Sequence, residues 1–199
     1  MNGFIEQYEE IRPLLQTGDK VLFAGKGLVS LVIRIVSRGP YSHIGMIVKL
    51  AGRLFVLEST SLRKGVKGVQ LSLLSTRLAA YDGKVWIRRL YGIERVGLIV
   101  NTKETVDELT ECFLREHRGK EYERSLFELA LAALPGRNKT DLSSLFCSEL
   151  VAEWDIAAGV LPSCKRPSNE YTPNDYGAGR LVDREILSPC TLGSVIRVK

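Results

Sequence analysis

The chain reads as an α+β domain, a central and mostly antiparallel sheet with packed helices, and three features predict it. An N-terminal segment with helical spacing comes first, a succession of β-rich runs separated by turn residues follows, and helix-periodic segments come after them. With 199 residues and 45% apolar content there is material for one core, so residues 1–199 are expected to form a single domain.

Each element follows from its residues. Residues 4–15 have the spacing of a short helix that ends near Pro13. "TGDKVLFAG" is a turn followed by a strand, with Asp19 read as structural because Thr-Gly-Asp is good turn chemistry. "GLVSLVIRIVSRGP" is too densely apolar for a half-exposed strand and stops at "SRGP". It predicts a helix packed on the core. A buried strand and a membrane-surface helix with Arg34 and Arg38 on one face are the alternatives. "YSHIGMIVKLAGRLFVLEST" predicts a hairpin turning at Gly52, and "GVQLSLLS" and "GKVWIRRL" predict further strands. From Thr105 to His117 the spacing is helical, and Cys112 beside Val106, Leu109 and Phe113 is expected in the core. "SLFELALAALPG" predicts another helix, closed by Pro135-Gly136, and the polar loop "RNKTDLSS" leads to a helix that starts near Cys147 and carries Leu150, Val151, Trp154 and Ile156. The C-terminal stretch reads as a loop-rich extension with late apolar runs at "GRLVDREIL" and "GSVIRVK".

Composition narrows the function classes. The net charge of +5 is spread along the chain, with a mild concentration in "SLRKGVKG". No aromatic-basic interleaving of the kind that stacks bases is present, so nucleic acid is not expected, whereas contact with a membrane surface is compatible with the charge. No stretch reaches the roughly 18 apolar residues of a membrane span, and "MNGFIEQYEE" has acids in place of a secretory apolar run. The expected location is the cytoplasm, with export by a dedicated route left open. The four cysteines include no C-x-x-C pair and no histidine at ligand spacing, so no metal is expected and free thiols are. "AGKG" is not a phosphate-binding loop, and there is no G-x-S-x-G nucleophile elbow.

Three residues carry candidate chemistry. His43 opens a predicted strand, and Glu58 ends the neighbouring one, so the hairpin returns the carboxylate towards the imidazole. Residues facing each other across such a ladder lie ~5 Å apart. A carboxylate beside an imidazole orients the ring and raises its basicity. Cys147 lies at a predicted helix start, where the dipole and free N–H groups favour a thiolate and can hold an oxyanion. Each also has a plain structural reading: a satisfied histidine, a strand reaching water, a small core residue. His117, near a helix end beside Arg115 and Arg118, complements the helix dipole and suggests no catalysis.

Taken together, "GDKVLF", "GPYSHIGMIV", "FVLEST", "RGKEY", "FCSELV" and "YTPNDY" resemble the permuted papain-like proteins of the NlpC superfamily, especially the YiiX/YebB-like hydrolases, which are related to lecithin retinol acyltransferase-like enzymes. The resemblance runs from about Gly18 to Tyr176, and the order, His43 before Cys147, is that of the circularly permuted branch. It implies a permuted papain-like sheet with Cys147 as nucleophile, His43 as general base and Glu58 as the residue that orients it. It also implies Tyr41 and Ser148 as oxyanion or substrate contacts, and no cofactor or metal. The expected activity is hydrolysis of an amide or related acyl bond through an acyl-enzyme. The substrate would be a peptide, a cell-wall peptide or an acyl-lipid. Acyl transfer or lipid hydrolysis by the same triad is the second expectation, and a non-catalytic binding protein on the same fold is the third. The segments Leu71–Tyr91 and Pro135–Ser144 depart from the family pattern and are expected to shape the substrate cleft.

Overall fold

The computed structural model describes residues 2–63, 66–93, 105–117 and 146–199. Six strands form one sheet in the order β4-β3-β2-β1-β5-β6, with every neighbouring pair antiparallel. They are β1 (Lys20–Gly25), β2 (His43–Leu50), β3 (Arg53–Arg63), β4 (Val66–Leu73), β5 (Gly83–Tyr91) and β6 (Thr191–Arg197). The described helices are α1 (Asn2–Ile11), α2 (Leu28–Val36), α3 (Leu74–Ala80), α4 (Val106–His117), α5 (Phe146–Ala157) and α6 (Leu181–Glu185). None is long and apolar enough to cross a membrane. The α+β expectation with an antiparallel sheet holds.

Strand alternation divides the core into two layers. Leu22, Ile44, Met46, Val48, Leu57 and Leu90 face one side, where α5 brings Leu150, Val151 and Trp154. Val21, Phe23, Ile47, Val56, Val85 and Ile87 face the other, against Tyr8, Leu15 and the α3 residues Leu74 and Leu78. Because both faces of β1 are covered, its apolar run is nearly unbroken. The β2–β3 hairpin closes on Ala51 and Gly52, both at positive φ (47° and 74°), as a two-residue type I′ turn requires. The N-terminal α-helix stops at Ile11, and a short 3-10 turn carries Pro13, whose missing N–H an α-helix interior would not tolerate.

Several expectations need correction. The run "GVQLSLLS" is not strand throughout: β4 ends at Leu73 and α3 begins at Leu74. Leu74 and Leu78, four residues apart, give α3 the buried stripe that overrides strand propensity. Cys112 is exposed rather than core, because α4 buries Thr110 and Phe113 and turns Cys112 away from that face. The late run at "GSVIRVK" forms the edge strand β6 against β5. The helix expected at "SLFELALAALPG" and the loop Pro135–Ser144 lie outside the described residues.

The helix α2 is present and packs on the core through Ile33, but much of its apolar surface faces outward. Leu28, Leu31, Ile35 and Val36 are exposed, while Ser30, Ile33 and Ser37 lie on the inner side. Ser30 Oγ lies against Gly25, Ile33 packs on the core, and Ser37 Oγ donates to the Ile33 carbonyl at 2.6 Å.

Candidate active site

His43 is held at the mouth of the sheet by its neighbours. The Ser42 N–H donates to the Phe23 carbonyl at 2.8 Å, and Ser42 Oγ accepts the Gly25 N–H at 3.2 Å. His43 then pairs with Phe23 across β1, and the two rings lie 5.3 Å apart. On the other side Met46 pairs with Leu57, which sets Glu58 across from Gly45 and on the His43 face. Gly45 leaves the room this needs: a Cβ there would come within 2.7 Å of Val56 Cγ2 and 3.0 Å of the Leu57 carbonyl oxygen. His43 Nε2 and Glu58 Oε2 are 2.7 Å apart, with the Glu58 side chain fully buried and the His43 ring 13% exposed.

Glu58 has a second partner. Arg77 of α3 donates from Nε to Glu58 Oε1 at 2.6 Å and from Nη2 to Oε2 at 3.0 Å. Its guanidinium also lies 4.9 Å from both the Phe23 and Tyr81 ring centres. Arg77 belongs to the segment expected to shape a substrate cleft. It is instead a side chain that fixes the candidate triad's carboxylate in a planar fork.

Cys147 is the second residue of α5, within its first turn, and α5 packs against β2 and β3. It is 6% exposed. The thiol hydrogen-bonds the His43 ring, and the backbone N–H groups of Ile44 and Ser148 also reach the sulfur. With Nε2 committed to Glu58, Nδ1 is the ring nitrogen left for Cys147. Cysteine, imidazole, carboxylate and guanidinium therefore stand in a row.

Burial opposes charge on these groups, and their contacts with one another outweigh it. Desolvation alone would lower the His43 pKa, but the Cys147 sulfur and the Glu58 carboxylate raise it to about 9. Burial would raise that of Glu58, yet hydrogen bonds from His43 and Arg77 bring it down to about 2. Burial would likewise raise the Cys147 thiol, and the His43 charge with the Ile44 and Ser148 N–H groups lowers it. These directions favour a thiolate beside an imidazolium at neutral pH.

Tyr41 and Ser148, expected as oxyanion or substrate contacts, sit in the core. The Tyr41 ring stands edge-on to Trp86 at 5.3 Å, and burial raises its phenol pKa. Ser148 is fully buried and donates its hydroxyl to the Tyr171 carbonyl at 2.6 Å, so its backbone N–H is what it offers the sulfur. Asp19 is structural, as read: it accepts the Leu90 N–H at 2.8 Å and the Gln16 N–H at 3.0 Å, and burial pushes its pKa up to about 6.

Two further groups of residues hold the site and were not singled out beforehand. Asn174 of "YTPNDY" accepts the Tyr41 N–H at 2.8 Å and donates to the Tyr41 carbonyl at 2.7 Å and to Ser37 Oγ at 2.5 Å, pinning the segment that leads into His43. Lys20 of β1 and Asp155 of α5 form a wholly buried ion pair at 2.5 Å, and Tyr176 donates to the same carboxylate at 3.0 Å. That pair ties the Cys147 helix to the sheet.

No protein-family model matches the chain, and no curated protein matches it. Among solved structures it is similar to the metalloprotein YiiX from Escherichia coli O157:H7, at 23% identity and a TM-score of 0.46. The match covers 72% of this chain and 66% of the YiiX chain. A likeness this distant assigns neither activity nor metal. Among the described residues no group of three or more His, Cys, Asp or Glu side chains is placed to hold a metal ion. The donors at the site are committed elsewhere, both Glu58 oxygens to Arg77 and His43 Nε2 to Glu58.

Proposed function

We propose that this protein is a cysteine-nucleophile hydrolase that cleaves an amide or related acyl bond. The observation that carries the reading is the row Cys147–His43–Glu58, with His43 Nε2 2.7 Å from a carboxylate that Arg77 holds rigid. In the first half-reaction the Cys147 thiolate bonds to the carbonyl carbon. The oxyanion is met by backbone N–H groups in the first turn of α5. His43 gives its proton to the departing amine or alcohol, the bond to that group breaks, and a thioester remains. In the second, neutral His43 takes a proton from water as the hydroxyl adds to the thioester. The S–C bond breaks, and thiolate and imidazolium are restored. Glu58 stays ionised throughout and stabilises the imidazolium.

A second reading, acyl transfer or hydrolysis of a membrane lipid by the same groups, draws support from the outward apolar residues of α2, which joins β1 to the segment that leads into His43. One experiment separates the readings. The protein and a Cys147→Ala control are incubated with a panel of acyl-peptides and phospholipids, and adducts are mapped by mass spectrometry. A peptide-derived acyl group on Cys147 supports the amidase, and a lipid-derived one supports the second reading. No adduct from any substrate on the folded protein would leave a binding protein that keeps the fold.

A further inference from the structure

The helix α2 is amphipathic in the inverted sense. Its serines face inward, and Leu28, Leu31, Ile35 and Val36 are 76%, 43%, 66% and 43% exposed. These four are among only seven large apolar side chains exposed among the described residues, and they share nine residues of chain. Leu28, Leu31 and Ile35 recur at i, i+3 and i+7, which places them on one face at 3.6 residues per turn, with Val36 flanking. Scattered exposed apolar residues are ordinary, but a continuous stripe of this kind marks an interaction surface.

The charge around the stripe selects the partner. From Lys26 to Ser42 the chain has three cations, Lys26, Arg34 and Arg38, and no acid. Lys26 is paired with Asp82 at the surface, while Arg34 flanks the stripe and Arg38 follows its C-terminal end. Arg38 adopts φ +52°, a conformation that usually falls to glycine at a helix end, so an exposed cation is kept where the backbone favours no side chain. The exposed Arg180 joins it there, donating to the Arg38 carbonyl at 3.3 Å. An apolar stripe with a basic margin at Arg34 and Arg38, its Lys26 end neutralised by Asp82, matches the boundary between acyl chains and anionic headgroups.

We propose that the outward face of α2 seats the protein on an anionic lipid bilayer. Leu28, Leu31, Ile35 and Val36 enter the acyl boundary, and Arg34 and Arg38 meet the headgroups. The proposal concerns where the protein sits and does not depend on chemistry at Cys147.

The test is cosedimentation of the full chain with phosphatidylcholine vesicles, with and without phosphatidylglycerol, at low and high salt. The expected result is binding to the anionic vesicles that weakens as salt rises. Leu28→Ser with Ile35→Ser should cut that binding by about tenfold or more. Arg34→Gln with Arg38→Gln should lower it several-fold and remove most of the salt dependence. The substituted side chains lie on the outer or flanking sides of α2, and circular dichroism checks that each variant keeps the parent's fold. Three outcomes would overturn the proposal: no binding to anionic vesicles, parent-like binding by Leu28→Ser/Ile35→Ser, or a concentration-dependent dimer that this double variant dissolves while vesicles are ignored. The last would make a second copy of the chain the occupant.

Discussion

Replacing Arg77 with methionine removes the guanidinium while keeping most of the stem, and so isolates the support of Glu58. Two charge-assisted hydrogen bonds are lost, at 2.6 and 3.0 Å. Bonds of this kind contribute ~1.5–3 kcal/mol each. Glu58 has no exposure to water, so its charge would be left with His43 alone. Breaking a buried ion pair from one side costs ~3–5 kcal/mol. Because the imidazolium remains as a counter-charge, the low end applies, and Arg77→Met should destabilise the fold by roughly 3 kcal/mol. Arg77→Lys keeps the charge but not the planar fork or the stacking on Phe23 and Tyr81, and should fall between methionine and the parent. Glu58→Gln/Arg77→Met has no carboxylate to compensate and should be more stable than the two single losses added together, by ~1–3 kcal/mol. Urea unfolding followed by circular dichroism gives all four corners of this cycle. A loss below ~1 kcal/mol for Arg77→Met, or additivity within ~0.5 kcal/mol, would falsify the role assigned to Arg77.

Three further outcomes follow from the same geometry. Cys147, whose thiol pKa is lowered, should react with iodoacetamide near neutral pH faster than the exposed Cys112 and Cys164; peptide mapping that finds equal, slow labelling of all three would return Cys147 to the core. The pH–rate profile, measured on the substrate found by adduct mapping, should have its alkaline limb near 9, since a raised His43 pKa keeps the imidazolium below that pH and loses it above, and its acid limb at the lowered thiol pKa; a fall in rate already at neutral pH contradicts the assignment. Lys20→Met strands Asp155 in the core at a cost of ~3–5 kcal/mol, and Lys20→Met/Asp155→Leu should recover much of it; an unchanged melting temperature for the single variant would show that the pair is not an anchor.

Much of the fold was legible because it rests on local signals. The hairpin that brings Glu58 back to His43 is marked by Gly52 between two β-rich runs, and the observed type I′ turn uses that glycine together with Ala51. Where the reading failed, two signals overlapped. Leu71, Leu73 and Leu74 suit a strand, but Leu74 and Leu78 are also spaced for a helix, and burial of that pair decided the outcome. Cys112 failed for a related reason: its apolar neighbours were counted, but α4 is centred on Thr110 and Phe113, and the hydroxyl of Thr110 earns its burial by accepting the Trp154 indole N–H at 3.1 Å. The sequence left α2 open between a core-packed helix and a membrane-surface helix because periodicity identifies a stripe without saying whether protein or another phase will cover it.

The site divides along the same line. His43 and Cys147 stand at the starts of their elements, and element ends are visible in a sequence, whereas Glu58, expected at the end of its strand, lies in the middle of β3, which runs on to Arg63. Arg77 is not at an end, and nothing in "LSTRLAAYDG" marks it as a partner for Glu58. The pairing exists only because β4 runs directly into α3 and α3 folds back over the face of β3. Yet the electrostatics demand some such partner. A thiolate, an imidazolium and a buried carboxylate sum to one negative charge in a place nearly closed to water, and an uncompensated charge there is costly. With Arg77 the four groups alternate in sign and sum to zero, and each charged side chain is flanked by its opposite. Neutrality is what lets Glu58 stay ionised at a pKa of about 2 despite complete burial, and an ionised Glu58 adds to the larger effect of the Cys147 sulfur in raising His43 to about 9. The guanidinium, two groups removed from the sulfur, thereby helps to hold the thiolate–imidazolium pair together.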